Sequence, residues 1–183
     1  MGARPPNRGV RRSRPAVAFE TQLMIVGERQ GVIVGPGSGR PEAECRVLRV
    51  YHQIVVPRSP ATGMPTKKRH HKPLTLRRDV SAASIGIRQA FATNENLTEV
   101  RLRVYQAATP GAPGAPGVPK PNYTIQLFNA HVCALRMVLP YTRAPSKSGY
   151  LVMNEEIAFT YVHVQWTWQS PLLVADDDWS VAR

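Results

Sequence analysis

Cysteine is scarce in this chain. Two in 183 residues, Cys45 and Cys133, are too few for a disulfide framework or, by themselves, for a four-ligand zinc site. No run of about 18 apolar residues occurs, which rules out a transmembrane helix. The start lacks an apolar stretch followed by a small-residue cleavage site, so no secretory signal peptide is expected. Without one, the sequons Asn96-Leu97-Thr98 and Asn122-Tyr123-Thr124 carry no glycosylation weight. Acids are also few: 12 Asp and Glu face 24 Lys and Arg, for a net charge of +12. That balance speaks about partners and solubility rather than fold. Apolar residues at 43% still permit a real core in one domain, with or without an arm.

Residues 1–17 read as a basic, flexible arm: Arg4, Arg8, Arg11, Arg12 and Arg14 stand there without an acid, and Pro5, Pro6 and Pro15 oppose a helix. The domain proper then spans 18–183. Phe19, Thr21, Leu23 and Ile25 alternate as a strand does. Gly35-Pro36-Gly37-Ser38-Gly39-Arg40 resembles a phosphate cradle, but it lacks the Lys-Ser/Thr ending and no helix follows. Residues 45–56 read as one long strand with Leu48, Val50, Ile54 and Val56 on a common face. Then 57–73, with Pro57, Pro60, Gly63, Pro65 and Pro73, reads as a long irregular loop, and Leu74 to Leu76 resume a strand.

One helix is predicted over 79–91, capped by Asp79 or Ser81, weakened by Gly86, and facing inward with Ala83, Ile87, Ala90 and Phe91. Strands follow at 97–105, 123–129 and 131–139, the last grouping Cys133, Leu135, Met137 and Leu139. The longest, 156–168, has apolar residues on both faces: Ile157, Phe159 and Tyr161 on one, Val162, Val164, Trp166 and Trp168 on the other. Such a strand needs cover on both sides. Three Gly-X-Pro triplets within 110–120 are too few for collagen and read as a stiff hairpin insertion. The sum is mostly β, a small closed β-barrel with one short α-helix, since this many strands would otherwise expose edges.

No catalytic pattern emerges, and an enzyme is not expected. His70-His71 stands inside Lys67-Lys68-Arg69-His70-His71-Lys72, where positive charge disfavours a metal. His131 and His163 read as packed or interface histidines, and Cys133 as a buried thiol. Glu155-Glu156 reads as charge at the start of a strand, and Asp176-Asp177-Asp178 as a solvated turn before Trp179.

A family signature runs through the same residues. Tyr51-His52-Gln53-Ile54-Val55-Val56-Pro57-Arg58-Ser59-Pro60 leads through Ala61-Thr62-Gly63-Met64-Pro65-Thr66 into the basic run ending at Lys72-Pro73-Leu74. Asp79-Val80-Ser81-Ala82-Ala83-Ser84, Asn122-Tyr123-Thr124-Ile125, Glu155-Glu156-Ile157-Ala158-Phe159-Thr160-Tyr161, Gln165-Trp166-Thr167-Trp168 and Asp176-Asp177-Asp178-Trp179 follow in order. Together these resemble the hemolysin-coregulated protein (Hcp) family, the tube protein of type VI secretion. The arginine arm, the Gly-X-Pro insertion and the basic charge depart from that pattern.

The resemblance implies a β-barrel with one helix that forms hexameric rings, stacked into a hollow tube expelled by a contractile sheath. It implies as partners further copies of the chain, a spike protein at the tube tip, the sheath and effector cargo. It also implies residence in the bacterial cytoplasm before firing and secretion afterwards, which needs no signal peptide. The loop at 57–73 becomes the ring-stacking loop, with Arg58, Lys67, Lys68, Arg69 and Lys72 facing acidic groups on the next ring. Tyr161, Trp166 and Trp168 are the expected subunit-interface residues. No cofactor, metal or membrane insertion is expected. A phage-type tail-tube protein and a basic, nucleic-acid-binding β-barrel are the alternatives, the latter using the arm, Lys67 to Lys72 and stacking aromatics. Against nucleic acid, Tyr105, Tyr123, Trp166 and Trp168 sit in apolar-patterned strands rather than among exposed cations.

Overall fold

The computed structural model describes residues 19–35, 46–106, 121–139 and 153–179. The arginine-rich arm, residues 36–40 of the glycine loop, Cys45 and the Gly-X-Pro insertion lie outside the described residues. The elements are β1 (Phe19–Gly27), β2 (Gly31–Val34), β3 (Arg46–Val47), β4 (Arg49–Tyr51), β5 (Ile54–Val55), β6 (His70–His71), β7 (Leu74–Asp79), α1 (Ala83–Ala92), β8 (Leu97–Gln106), β9 (Tyr123–Val138), β10 (Asn154–Gln169) and β11 (Leu172–Asp178).

Nine strands make one sheet in the order β2-β1-β8-β9-β10-β7-β4, with β3 added to β1 and β11 to β10. All the pairings are antiparallel. The expected closure is only approximated, because among the described residues no continuous ladder joins the ends. Residues 46–51 instead span the gap: β3 pairs with β1, β4 pairs with β7, and Leu48 between them donates its N–H to the Arg77 carbonyl at 2.8 Å. The sheet is therefore barrel-like, joined by a segment that changes partners halfway.

That change of partner corrects the long strand expected at 45–56. The chain breaks into β3, β4 and β5, and the inward position before the break is Val47, not Leu48. Leu48, Ile54 and Val56 are exposed, while Val50 is partly buried against the core. The core is built from Leu23, Ile25, Leu74, Leu76, Leu102, Leu127, Ile157, Phe159 and Val164, all essentially inaccessible. Each such side chain contributes about 1.5–3 kcal/mol by leaving water.

The helix is shorter than predicted. Asp79 ends β7 instead of capping α1, and Ala82 at the N-cap makes no side-chain hydrogen bond. Ser81 Oγ accepts from the Ala83 N–H at 3.3 Å, and Ser84 Oγ accepts from the Ser81 N–H at 3.0 Å. Ala83, Ile87 and Ala90 face inward as expected, but Phe91 lies on the exposed flank with Ile85. Gly86, read as a weakness, has a packing reason: a Cβ there would sit 2.8 Å from Ile33 Cγ2 on β2.

The strand β10 is not apolar on two faces. Its inward parity changes at one level: Ile157, Phe159 and Tyr161 point in, and so do Val164 and, partly, Trp166. On β9 the same change falls between Leu127 and Ala130, and the intervening Asn129 has φ 49°. Register is unchanged across this crease, as Tyr161 opposes Ala130 and His163 opposes Phe128. A bulge between Ala158 and Phe159 leaves Cys133 as the extra residue on β9. Cys133 is exposed rather than a buried thiol, and Met137 and Leu139 are exposed beyond it.

Glu95, almost fully buried, ties β1 and β2 to the end of α1. Its carboxylate accepts from the Arg29 and Gln30 N–H groups at 2.8 and 2.9 Å and from Gln30 Nε2 at 2.8 Å. Burial pushes its carboxyl up, but the donors from Gln30 and Arg29 outweigh this and hold it below its ordinary value. Gly27 leaves room for it, since a Cβ would lie 2.5 Å from Glu95 Oε1. Glu95→Ala is expected to lower unfolding free energy by about 2–4 kcal/mol in urea titration, as buried donors lose their acceptor. The difference from wild type should be full at pH 7 and fade as pH falls below the ordinary carboxylate range, because the folded group resists protonation.

Candidate functional site

Residues 54–71 form a protruding hairpin, not the irregular loop expected from their prolines. At its base Ile54 pairs with His71 and Val55 with His70. Towards the tip, Arg58 bridges to Pro65, the Ser59 N–H donates to the Met64 carbonyl at 2.9 Å, and Gly63 takes φ 69°. Arg58 Nη1 donates to the Gly63 carbonyl at 3.0 Å, so its guanidinium braces the turn. Lys67, Lys68 and Lys72 are exposed.

Arg69, predicted to face a neighbouring ring, turns inward instead. Its guanidinium forks onto the Asp177 carboxylate, with Nε to Oδ2 and Nη2 to Oδ1, and Nη2 also reaches the Asp178 carbonyl at 3.3 Å. His71 Nε2 meets Asp177 Oδ2 at 3.0 Å, and its Nδ1 meets the Tyr161 hydroxyl at 3.1 Å. The same hydroxyl lies 2.7 Å from His52 Nε2. Trp179 Nε1 donates to the Tyr161 carbonyl, and the His52 ring lies 5.8 Å from that of Trp166. These contacts clip the hairpin base to β10 and β11.

The acids at 176–178 are thus not a solvated turn. β11 carries them, and Asp177 is the acceptor that receives the hairpin. Burial pushes the Asp177 carboxyl up, but hydrogen bonds from Arg69 and His71, together with their charges, hold it below its ordinary value. Burial, aided by the charge of Asp177, pushes the Tyr161 phenol up to about 12. Burial first, and then the charge of His71, lowers His52.

Tyr161, expected at a subunit interface, is committed within the subunit at 5% exposure. Trp166 packs partly against the core, while Trp168 is 45% exposed, its Nε1 donating to the Ser170 carbonyl at 2.9 Å. The apolar surface left over belongs to β11: Leu172, Leu173 and Val174 are 68%, 61% and 55% exposed, with Trp179 nearby in sequence at 56%. Both faces of that strand are open, and among the described residues it pairs with β10 alone. The run Leu172-Leu173-Val174-Ala175 was the sequence signal for it.

A second polar knot anchors the helix. Glu155 and Arg78 face each other across β10 and β7, both buried, with Arg78 Nε 3.8 Å from Glu155 Oε1. Ser84 Oγ donates to the same oxygen at 2.7 Å, and Arg88 approaches Oε2 at 3.4 Å. Glu155 is therefore an internal tie and not simply charge at a strand's start. Among the described residues no group of three or more potential ligands is placed to hold a metal.

Replacing Asp177 with alanine should leave Arg69 and His71 without their acceptor. The expected cost is about 1–3 kcal/mol at pH 7 in chemical denaturation, with trypsin cutting faster at Lys67 and Lys68. The stability difference should shrink as pH falls below the ordinary carboxylate range, since the native carboxyl is the harder one to protonate.

Comparison with known proteins places this geometry. Residues 35–168 match the family described as "Type VI secretion system effector, Hcp". A relative from Pseudomonas aeruginosa, "Major exported protein", is 25% identical over 173 residues, covering 89% of this chain and 96% of its own. The solved structure "Crystal structure of Hcp protein" superposes with a TM-score of 0.75 at 19% identity, over 90% of this chain and all of that one. "Secreted protein Hcp3 from Pseudomonas aeruginosa" gives 0.63 at 22% identity, over 88% and 99%. These likenesses of fold agree with the barrel-like sheet and single helix, and neither the tail-tube nor the nucleic-acid alternative is favoured by them. The chain belongs to the Hcp family of type VI secretion proteins.

Proposed function

We propose that this chain is a tube subunit of a type VI secretion machine. Copies join head to tail through β11 into a hexameric ring, and rings stack through the 54–71 hairpin into a hollow tube. A sheath expels that tube from the cytoplasm with a spike at its tip and effector cargo in its lumen. The role is structural and calls for no catalysis.

The observation that carries this reading is the open edge of β11. An exposed strand with apolar residues on both faces invites pairing with another chain. A second copy is the natural occupant in a protein of this family. A heterologous contact of that kind closes into a ring when its rotation permits, while ring-on-ring stacking stays open and makes a filament. The interface expected at Tyr161, Trp166 and Trp168 accordingly moves outward, to Trp168 and the β11 side chains. Lys67, Lys68 and Lys72 remain as the charges available for register against the next ring, with Arg69 withdrawn into the clip.

Light scattering and negative-stain microscopy of the purified protein should reveal rings at micromolar concentration; a persistent monomer would sink the assignment. Leu173→Glu combined with Val174→Glu should reduce rings to monomers while the helix and sheet signals in circular dichroism stay unchanged. Lys67→Glu, Lys68→Glu and Lys72→Glu together should leave single rings intact and shorten stacks. Their effect on unfolding free energy should stay under about 1 kcal/mol, since exposed charges contribute little to folding.

A further inference from the structure

A single hydroxyl stands between two imidazoles. Tyr161 Oη is 2.7 Å from His52 Nε2 and 3.1 Å from His71 Nδ1. Both contacts are hydrogen bonds only when each gap holds one proton. The phenol supplies one, so His52 Nε2 and His71 Nδ1 hold one more between them. His71 Nε2, against the ionised Asp177 carboxylate at 3.0 Å, is a donor.

Two charge states satisfy that count. With both rings neutral, His52 Nε2–H donates to Tyr161, whose hydroxyl donates to the bare His71 Nδ1. With His71 charged beside Asp177, its Nδ1–H donates to Tyr161, and the hydroxyl donates to the bare His52 Nε2. A third state, with both rings charged, fails. Two nitrogens then donate to one oxygen, the hydroxyl proton loses its acceptor in the relay, and two cations face each other across a half-buried site.

We propose that the His52–Tyr161–His71 relay is an acid-operated release, which tolerates one added proton and breaks on the second, freeing the base of the 54–71 hairpin from β10. The surroundings of the two rings differ. Asp177 on β11 faces His71 Nε2 and the Arg69 fork. On the β10 side His52 meets Tyr161 and the apolar face of Trp166. Burial and the His71 charge keep His52 below its ordinary value.

The sign follows from that depression. The unfolded chain takes up the His52 proton first, so the relay's contribution is full above about pH 6.5 and is lost progressively as pH falls below that value towards the lowered folded one. Asp177, held below its ordinary range, stays charged through this window. The other histidine–acid pair on these strands, His163 Nε2 and Asp176 Oδ2 at 3.6 Å, lies outside the relay and serves as the control.

The test uses the full-length protein, with amide hydrogen exchange of the 54–71 hairpin and β11 measured at pH 7 and about pH 5 and corrected for intrinsic exchange. Tryptophan fluorescence, sensitive at Trp166 and Trp179, is followed over the same range. In the wild type, hairpin protection should fall about tenfold on acidification, the factor that corresponds to one lost buried hydrogen-bond partner. His52→Gln can donate to or accept from Tyr161 but cannot gain a proton, and should lose the pH transition. Tyr161→Phe removes the shared oxygen and should make hairpin protection low at both pH values. His163→Gln should keep the transition.

Equal wild-type protection at both pH values would overturn the proposal. So would a transition that survives His52→Gln or disappears in His163→Gln. If His52→Gln does not fold, Tyr161→Phe decides, because a pH transition retained there excludes the relay. Shorter stacks at pH 5 would be the consequence under the tube reading, but the exchange measurement tests the clip whether or not stacks form.

Discussion

The pairing of β9 with β10, two sixteen-residue strands joined over nearly their full length with one bulge at Cys133, is the interaction from which the other parts hang. One end of β10 carries β7 and the other carries β11, so a single strand serves both the barrel-like body and its exposed edge. The crease at Val162 and Asn129 lets this ladder bend without losing register. It also directs Phe159, Tyr161 and Val164 to the same interior although their sequence spacing places them on opposite faces. A flat version of the strand would put Val164 or Tyr161 in water.

Around that ladder, among the described residues, three acids each centre a polar knot that joins distant elements. Glu95 holds the β1–β2 turn to the end of α1, Glu155 holds α1 to β7 and β10, and Asp177 holds the hairpin to β11. In a chain with twice as many cations as anions, each of these three acids is an internal acceptor. Unpaired burial of any of them would be costly, so they fix geometry as much as they add stability. The Asp177 knot has a special position, because it couples the hairpin proposed to stack rings with the edge proposed to close them.

Much of the fold was legible. Period-two alternation locates β1, β7, β8 and β10, and the Ala83, Ile87 and Ala90 stripe locates the helix, while the strands expected at 123–129 and 131–139 are joined in the single strand β9. The errors have specific physical causes. Leu48 was read as inward because alternation assumes one partner per strand, whereas residues 46–51 change partner at that residue. Cys133 reads as buried because parity is carried back from Leu135 through a bulge that no local residue type announces. Gly86 was scored on propensity, and its packing against Ile33 is visible only once α1 lies on β2.

The site was less legible, for the same reason at longer range. The basic run at 67–72 and the late acids at 176–178 are plain in the chain, as is the aromatic ending of β10, and their colinear arrangement carried the family. That Lys67, Lys68 and Lys72 remain at the surface while Arg69 and His71 turn inward depends on where β11 lies, more than a hundred residues on. Composition and periodicity determine how much apolar surface must be hidden and which elements hide it. Which cation meets which acid, and which strand edge is left bare, is decided by the register of strands that touch only after the chain has folded.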